Sequence, residues 1–598
     1  MRKYEAYIFK RWASPLLQHT LVTRYLVNSE SVLIMRLHNS PVSLLSLAFV
    51  YQRAYASPLA PPECSLENLR NLLSAADGPV ARNATVLSVT AVPANGAYGD
   101  RDVYPDTPQM FATGLPELCA VEVNVTSSES SAYTFALFLP TEWESRFLAV
   151  GGGGTAGYIN FLDMAVGSHQ GFATMSTDNG HRGGVFDVEW MLNAPQKQID
   201  WGWRAMHGSV GLAKQLVQGY YGGAGIRYSY YTGCSNGGRQ GLKEAQVDAE
   251  SFDGLLIGAP AWWISHMVSW DTKISKDFYP ASDPKSIPPA LFSLVAATVI
   301  EQCDGADGVE DGIISSPERC HADLGVLSCD LVSANATAAC LTPVQLQTLQ
   351  RIYADYYVGS EMAHPGLELS SEAGWSDPLF TGGEPLAYGL GILRYGVFGD
   401  PNWPLDAYND SVYAYVRDFP LMRQLDADAF DMSPVRDRGA KILMYHGLAD
   451  PLLVTRGSTH FYEQVARATS GGAANATTPA SMDDWFRLLL VPGLQHCVGT
   501  PPGVNAPWNF NGAAQATVLG PGEWSVPGFH DADHDALLAL VRWVEDATPV
   551  DRLVATTWRD AEAPDSGVAR QRPLCPHPQK AVYDGVGDVD EASSWRCA

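Results

Sequence analysis

Short strand-like runs separated by turn residues fill the chain from Ala84 to Phe147, Val121–Val125 and Tyr133–Leu139 being the clearest. Alternation of this kind predicts strands laid side by side as a meander. The pattern then changes. Arg146-Phe147-Leu148-Ala149-Val150 is a continuous apolar run that stops in four glycines, Gly151 to Gly154. Phe172–Ser176, Ile226–Tyr231, Gly254–Pro260, Lys441–Tyr445 and Phe486–Val491 are short apolar runs of the same kind. Such runs fit strands buried on both faces. Arg204–Tyr221 carries apolar residues at helical spacing, and another helix is predicted over Asp533–Glu545. Strand and helix in alternation predict a parallel sheet covered on both sides.

The alternation is interrupted once. Residues 261–439 hold four clustered cysteines and many Trp, Tyr and Pro, with no strand–helix rhythm. The simplest organisation is an α/β domain made of 57–260 and 440–560, with 261–439 inserted between two of its strands. The tail, 561–598, is rich in turn residues and closes with Cys575 and Cys597. A chain of 598 residues suits two domains or one large domain with an insertion. No internal repeat is visible. Residues 1–56 read as a leader. From Met35 the chain runs Met35-Arg36-Leu37-His38, then an apolar stretch from Val42 to Val50, then Ala54-Tyr55-Ala56. A basic start, a core too short to span a bilayer and an A-x-A site describe a secretory signal. On that reading translation starts at Met35 and the mature chain begins near Ser57. A membrane anchor or a disordered leader is the alternative.

Composition narrows the function. A net charge of -26 argues against a nucleic-acid partner, since phosphate binding needs clustered Lys and Arg. Hydrophobic residues at 46% predict a globular chain. Ten cysteines, an even number, and N-x-S/T sequons at Asn83, Asn124, Asn335, Asn409 and Asn475 point to an oxidising, extracellular setting.

The chemistry centres on Gly233-Cys234-Ser235-Asn236-Gly237. It follows a predicted strand and matches G-x-S-x-G, the sharp turn that lifts a nucleophilic serine above an α/β-hydrolase sheet. A serine nucleophile needs a base and an acid to orient that base, here in the order Ser, Asp, His, each after a strand. Asp450 follows the run 441–445, and His496 follows 486–491. Taken singly, Asp450 reads as a turn residue before Pro451, and His496 is one of fourteen histidines. Cys497 follows His496 as directly as Cys234 precedes Ser235. If these cysteines are bonded, their α-carbons lie within about 7 Å and the serine and histidine are neighbours. Proximity would then pair Cys303 with Cys320, Cys329 with Cys340, Cys575 with Cys597, and Cys64 with Cys119, although spacing does not fix connectivity.

The run Gly233 to Gly241, the HG-x-x-D aspartate at Asp450 and the closing His496-Cys497 resemble the tannase and feruloyl esterase family. Trp203–His207 and Phe252-Asp253-Gly254 extend the similarity, which covers most of the chain from about residue 60. Thr500 departs from the glycine that relatives tend to carry there. The resemblance implies an α/β-hydrolase fold with a large lid domain inserted between core strands. It also implies a Ser235–Asp450–His496 triad bridged by a Cys234–Cys497 disulfide. The oxyanion donors are expected to be the N–H of Asn236 and that of Gly152 or Gly153. Within Cys303–Ile313 the carboxylates are hard ligands at a spacing foreign to an EF-hand. Here the resemblance implies a structural lid calcium (Ca2+) held by Asp304, Asp307 and Asp311 and the carbonyls of Val309 and Ile313. Trp262, Trp263, Trp375 and Trp403 are candidates for stacking on an aromatic substrate. The expected activity is secreted hydrolysis of small or polysaccharide-linked esters of phenolic acids, of the feruloyl esterase kind. Alternatives are a tannase, another arylcarboxylate esterase, a non-catalytic binding protein on a hydrolase scaffold, and a redox enzyme using Cys234. Neither nucleic acid nor, in the mature form, membrane is an expected partner.

Overall fold

The apolar runs pair into one nine-stranded sheet. In chain order its strands are β1 (Ala84–Val92), β2 (Leu118–Ser128), β3 (Ser131–Pro140), β4 (Arg146–Val150), β5 (Phe172–Thr177), β6 (Tyr228–Cys234), β7 (Gly254–Gly258), β8 (Lys441–Gly447) and β9 (Phe486–Val491). Across the sheet they lie in the order β9-β8-β7-β6-β4-β5-β3-β2-β1. The six strands from β9 to β5 are parallel, and β3, β2 and β1 continue antiparallel as the meander. This is a computed structural model; it describes residues 21–27, 30–36, 63–105, 107–331, 339–375, 385–470, 482–520, 525–561 and 563–598, with backbone only for the first two stretches and 516–517.

Successive residues of a strand face opposite ways, so each parallel strand feeds two cores. Tyr231, Leu255, Ile257, Ile442, Met444 and Leu488 pack on one face. Helix α2 (Ala205–Tyr220) and helix α3 (Asn236–Val247) supply Val210, Leu216 and Leu242 to it. Tyr230, Leu256, Leu443 and Leu489 pack on the other. There they meet α1 (Phe161–His169) and, after α4 (Ile264–Phe278) of the insertion, α5 (Ala536–Asp546). Burial on both faces is why these strands carry no polar alternation.

The order of β4, β5 and β6 positions the site. From β4 the chain crosses through α1 to β5 on one side, and from β6 it crosses through α3 to β7 on the other. The loops leaving the carboxyl ends of β4 and β6 therefore diverge, and a crevice opens between them. Gly151 and Ser235 stand at its two lips.

The described residues between β7 and β8 add no strand to the sheet. They fold around their own core, with Trp270, Trp375, Leu393 and Tyr413 at its centre. After α5, Leu553–Trp558 pairs antiparallel with Val568–Leu574, and Ala581–Tyr583 with Trp595–Cys597. The boundary drawn at 560 thus falls inside a hairpin: the last forty residues or so are tied to what precedes them, with Cys575–Cys597 closing the end.

Contacts separate Met1–Pro62 from Glu63–Ala598. In the first unit Leu21–Val27 and Glu30–Arg36 form an antiparallel hairpin. The apolar run 42–50, Ala54–Ala56 and Ser57 lie outside the described residues. Among the described residues no helix is long and apolar enough to cross a membrane.

Candidate active site

Ser235 sits at the turn from β6 into α3 with φ 62° and ψ -124°. A left-handed φ is costly for a residue with a Cβ and is tolerated where the surroundings fix it. They do so here. The Ser235 N–H donates to Gly258 O at 3.0 Å, and its carbonyl accepts from Arg239 and Ala261, each at 3.0 Å. The elbow also demands close packing: a Cβ on Gly151 would lie 2.7 Å from the Cα of Gly237.

The rest of the motif anchors this turn. Arg239 is fully buried. Its Nε donates to Asn236 Oδ1 at 2.8 Å, and its other nitrogens reach the carbonyls of Trp201, Gly202 and Leu425. Asn236 Nδ2 donates to Gly152 O at 3.2 Å. Gln240 accepts from the Gly152 N–H at 3.0 Å and donates to Asn179 at 2.7 Å. These bonds correct one expectation: the Gly152 N–H already has an acceptor in Gln240, and Gly153 is hydrogen-bonded through its backbone to the Tyr158 hydroxyl, so neither glycine offers a free oxyanion donor in this structure. The Asn236 N–H lies in the first turn of α3, where no intrahelical acceptor exists.

Cys234 and Cys497 are bonded, with α-carbons 6.0 Å apart. β6 and β9 are separated by two strands, so the loop after β9 must fold back over the ends of β7 and β8 to make this bond. Gly258 leaves the room: a Cβ there would lie 2.8 Å from Cys234 Sγ. The other four bonds join Cys64–Cys119, Cys303–Cys320, Cys329–Cys340 and Cys575–Cys597. No described cysteine is free.

His496 and Asp450 meet beside the bridge, with Nδ1 2.8 Å from Asp450 Oδ2. The other ring nitrogen, Nε2, is 3.7 Å from Cys497 Sγ. Among the described residues no hydrogen bond yet joins it to Ser235 Oγ. Asp450 is buried. Burial alone would push its carboxyl up. The charge of His496 and hydrogen bonds from His446 and His496 outweigh this and hold it well below the usual carboxylate range.

His446 escaped the sequence reading. It is buried, with Nε2 3.0 Å from Asp450 Oδ2 and 3.1 Å from the Leu453 carbonyl. Both neighbours accept, so Nε2 carries the proton. Ser458 Oγ, 2.8 Å from Nδ1, then donates to the bare nitrogen. His446 is the first residue of the HG-x-x-D motif that ends at Asp450, but the motif alone assigned it no role.

A narrow, mainly apolar pocket opens onto Ser235 and Asn236, lined by Trp201, Ile264, Met267, Tyr388, Ile392 and Leu453 among others. None of the four tryptophans proposed from the sequence lines it. Trp375 is buried in the insertion core, Trp262 and Trp263 stack on each other, and Trp403 stacks on Phe398. Trp201 takes the position instead.

In the acidic loop Asp304 accepts from the N–H groups of Asp311 and Gly312, and Asp311 Oδ2 accepts from Arg572 at 2.7 Å. Burial, together with Asp311 and Asp304 nearby, raises the Asp307 carboxyl. Among the described residues no hydrogen bond reaches the carbonyls of Val309 or Ile313, both buried. Hard carboxylates and two unpaired buried carbonyls on one loop are a donor set that fits calcium. The three carboxylates are not gathered within 4.8 Å of one another; among the described residues only His207, Glu244 and Asp248 are. Of the sequons, Asn83 and Asn409 are exposed, Asn124 is half-buried, and Asn335 and Asn475 lie outside the described residues.

A serine on a strained strand-to-helix turn, set at the switch point of this sheet, defines an α/β-hydrolase. The chain belongs to the tannase and feruloyl esterase family, whose model matches residues 119–379 and 399–598, and is a carboxylic ester hydrolase. It is 32% identical to feruloyl esterase C of Talaromyces stipitatus over 82% of this chain and 88% of that one. With the probable feruloyl esterase B-1 of Aspergillus oryzae it shares 31% identity over 86% and 90%. The crystal structure of feruloyl esterase B from Aspergillus oryzae superposes with a TM-score of 0.78 at 28% identity, covering 89% of this chain and all of that one. Tannin acyl hydrolase from Aspergillus niger shares the fold, with a TM-score of 0.67 at 20% identity over 90% and 95% of the two chains.

Proposed function

We propose that this chain is a secreted serine esterase that hydrolyses carboxylic esters of phenolic acids, feruloyl esters above all, through an acyl-enzyme. The observation that carries the reading is the Cys234–Cys497 bridge, which brings Ser235 beside a histidine already bonded to a buried aspartate. Ser235 Oγ attacks the ester carbonyl and His496 Nε2 takes its proton. Asp450 holds the Nδ1–H and stabilises the imidazolium. The carbonyl oxygen, now negative, is held by the N–H of Asn236, contributing about 2.7–4 kcal/mol. His496 returns the proton to the departing alcohol. Water, deprotonated by His496, then releases the acid. The Trp201, Met267 and Tyr388 side chains offer an apolar berth for the aromatic ring.

Five disulfides support an oxidising compartment, and the apolar run 42–50 supports a cleaved leader. Asp304, Asp307, Asp311 and the carbonyls of Val309 and Ile313 would hold a structural calcium, which neutralises the loop and takes no part in hydrolysis.

The test is hydrolysis of methyl ferulate, methyl caffeate and methyl gallate by wild type and Ser235→Ala. Ferulate or caffeate turnover is expected, with kcat lower by about 10⁴-fold or more in the variant. Full activity in Ser235→Ala would sink the serine mechanism, and turnover of gallate alone would make the chain a tannase. No turnover of any ester would favour a binding protein on this scaffold.

A further inference from the structure

The helix that begins at Ser235 carries a second group of chemically active side chains at its other end. Glu244 and Asp248 are one helical turn apart on the same side of α3 and its C-cap. His207, in the first turn of α2, faces them. One ligand atom from each of the three lies within 4.8 Å of the others.

Glu244 is only 2% exposed. Its Oε1 accepts from Ser251 Oγ at 2.7 Å and faces His207 Nδ1 at 3.1 Å. Its Oε2 is buried and has no hydrogen-bond partner. Asp248 Oδ2 accepts from the same Ser251 hydroxyl at 3.2 Å. His207 pairs with Glu244 Oε1, which leaves the Oε2 of a carboxylate taken out of water without a donor or cation. Lys214 lines the same cleft, but its ammonium donates to the Ser251 carbonyl. The cleft is about 350 Å³ and reaches His207, Glu244 and Asp248 together, so an ion has a way in.

The donor set selects the ion. One imidazole nitrogen and two carboxylates suit zinc and its transition-metal neighbours, whereas calcium takes six to eight oxygens and magnesium keeps most of its water. We propose that His207, Glu244 and Asp248 bind one divalent transition-metal ion of the zinc class. On binding, the His207 Nδ1 proton leaves to solvent and the freed lone pair, with one oxygen from each carboxylate, coordinates the metal. Glu244 is nine residues from Ser235, roughly 13 Å along the helix, so the metal takes no part in ester cleavage. It clamps the start of α2 to the end of the nucleophile helix.

The experiment is calorimetric titration of the full chain with zinc chloride in saturating calcium, with a crystal of the zinc-treated protein measured at the zinc absorption edge. One zinc per chain is expected, with an anomalous peak among the three side chains. His207→Gln and Asp248→Asn should each weaken binding by about tenfold or more while ester hydrolysis, which reports on folding, stays unchanged. No zinc uptake by wild type, a peak elsewhere, or equal binding by active variants would overturn the proposal. The wild-type titration and the anomalous peak decide the matter even where a variant fails to fold. Neither depends on which ester the chain prefers.

Discussion

Asp450 accepts from two histidines and two backbone groups at once: His496 and His446 on Oδ2, and the N–H groups of Leu452 and Leu453 on Oδ1. Each donor fixes the direction in which the carboxylate meets His496. His446 is thus a positioning residue that acts through Asp450. For His446→Ala the expected outcome is a fall in kcat of about tenfold to a hundredfold, the worth of one charge-assisted hydrogen bond. His446→Gln, which keeps a donor, should restore much of the rate. An equal fall in kcat for His446→Gln would show His446 to be a packing residue only. Ser235, Asp450 and His496 were legible because each stands at the end of an apolar run in a recognised order. His446 lies inside such a run, where a buried polar residue gives no hint of its partner. Gly152 misled for a related reason: a glycine run shows that the backbone approaches something, and only the fold shows that Gln240 takes that N–H.

At the scale of elements, the strands and helices of the sheet were legible and the insertion was not. Strands β4 to β9 are apolar on both faces, a pattern that local sequence carries in full. The insertion mixes longer helices, Ile264–Phe278, Phe292–Cys303, Pro343–Tyr353 and Asp410–Asp418, with many single turns, and their apolar residues face a core assembled from distant segments, so no strand–helix alternation marks it along the chain. One of its turns, Glu372–Gly374, leans on the Asp450 loop, where Ser370 Oγ donates to Leu448 O at 2.6 Å. Burial raises the carboxyls of Glu368 and Glu372 from 4.5 to about 7, with Arg456 and Tyr353 respectively pulling the other way. A glutamate whose folded pKa is raised favours folding in its protonated form. Its contribution is complete below about 4.5 and is lost as pH rises through about 7. Thermal unfolding followed between pH 5 and 8 should show stability falling with pH in wild type and falling less in Glu372→Gln. Parallel curves for the two proteins would remove Glu372 from the account.

At the scale of the molecule, the acidic loop of the insertion is held by the tail. Arg572, on the strand Val568–Leu574, pairs with Asp311 at 2.7 Å, and its guanidinium lies 4.2 Å above the Trp595 ring next to the Cys575–Cys597 bridge. A calcium in this loop would therefore brace insertion and tail together. Chelation of calcium-loaded protein is expected to lower the Tm by several degrees, with metal analysis giving one calcium per chain. An unchanged Tm with calcium absent from the purified protein would refute the site. The sequence by itself determined the α/β alternation, the place of the insertion, the elbow and the order of its partners. Each of these is written in residues close along the chain, as a period, a turn or a motif. The tertiary structure alone decided that His446 shares Asp450, that Trp201 lines the pocket, and that His207 faces Glu244 and Asp248. Those contacts depend on which strand ends and helix faces the sheet order sets side by side, and a linear pattern holds no record of that.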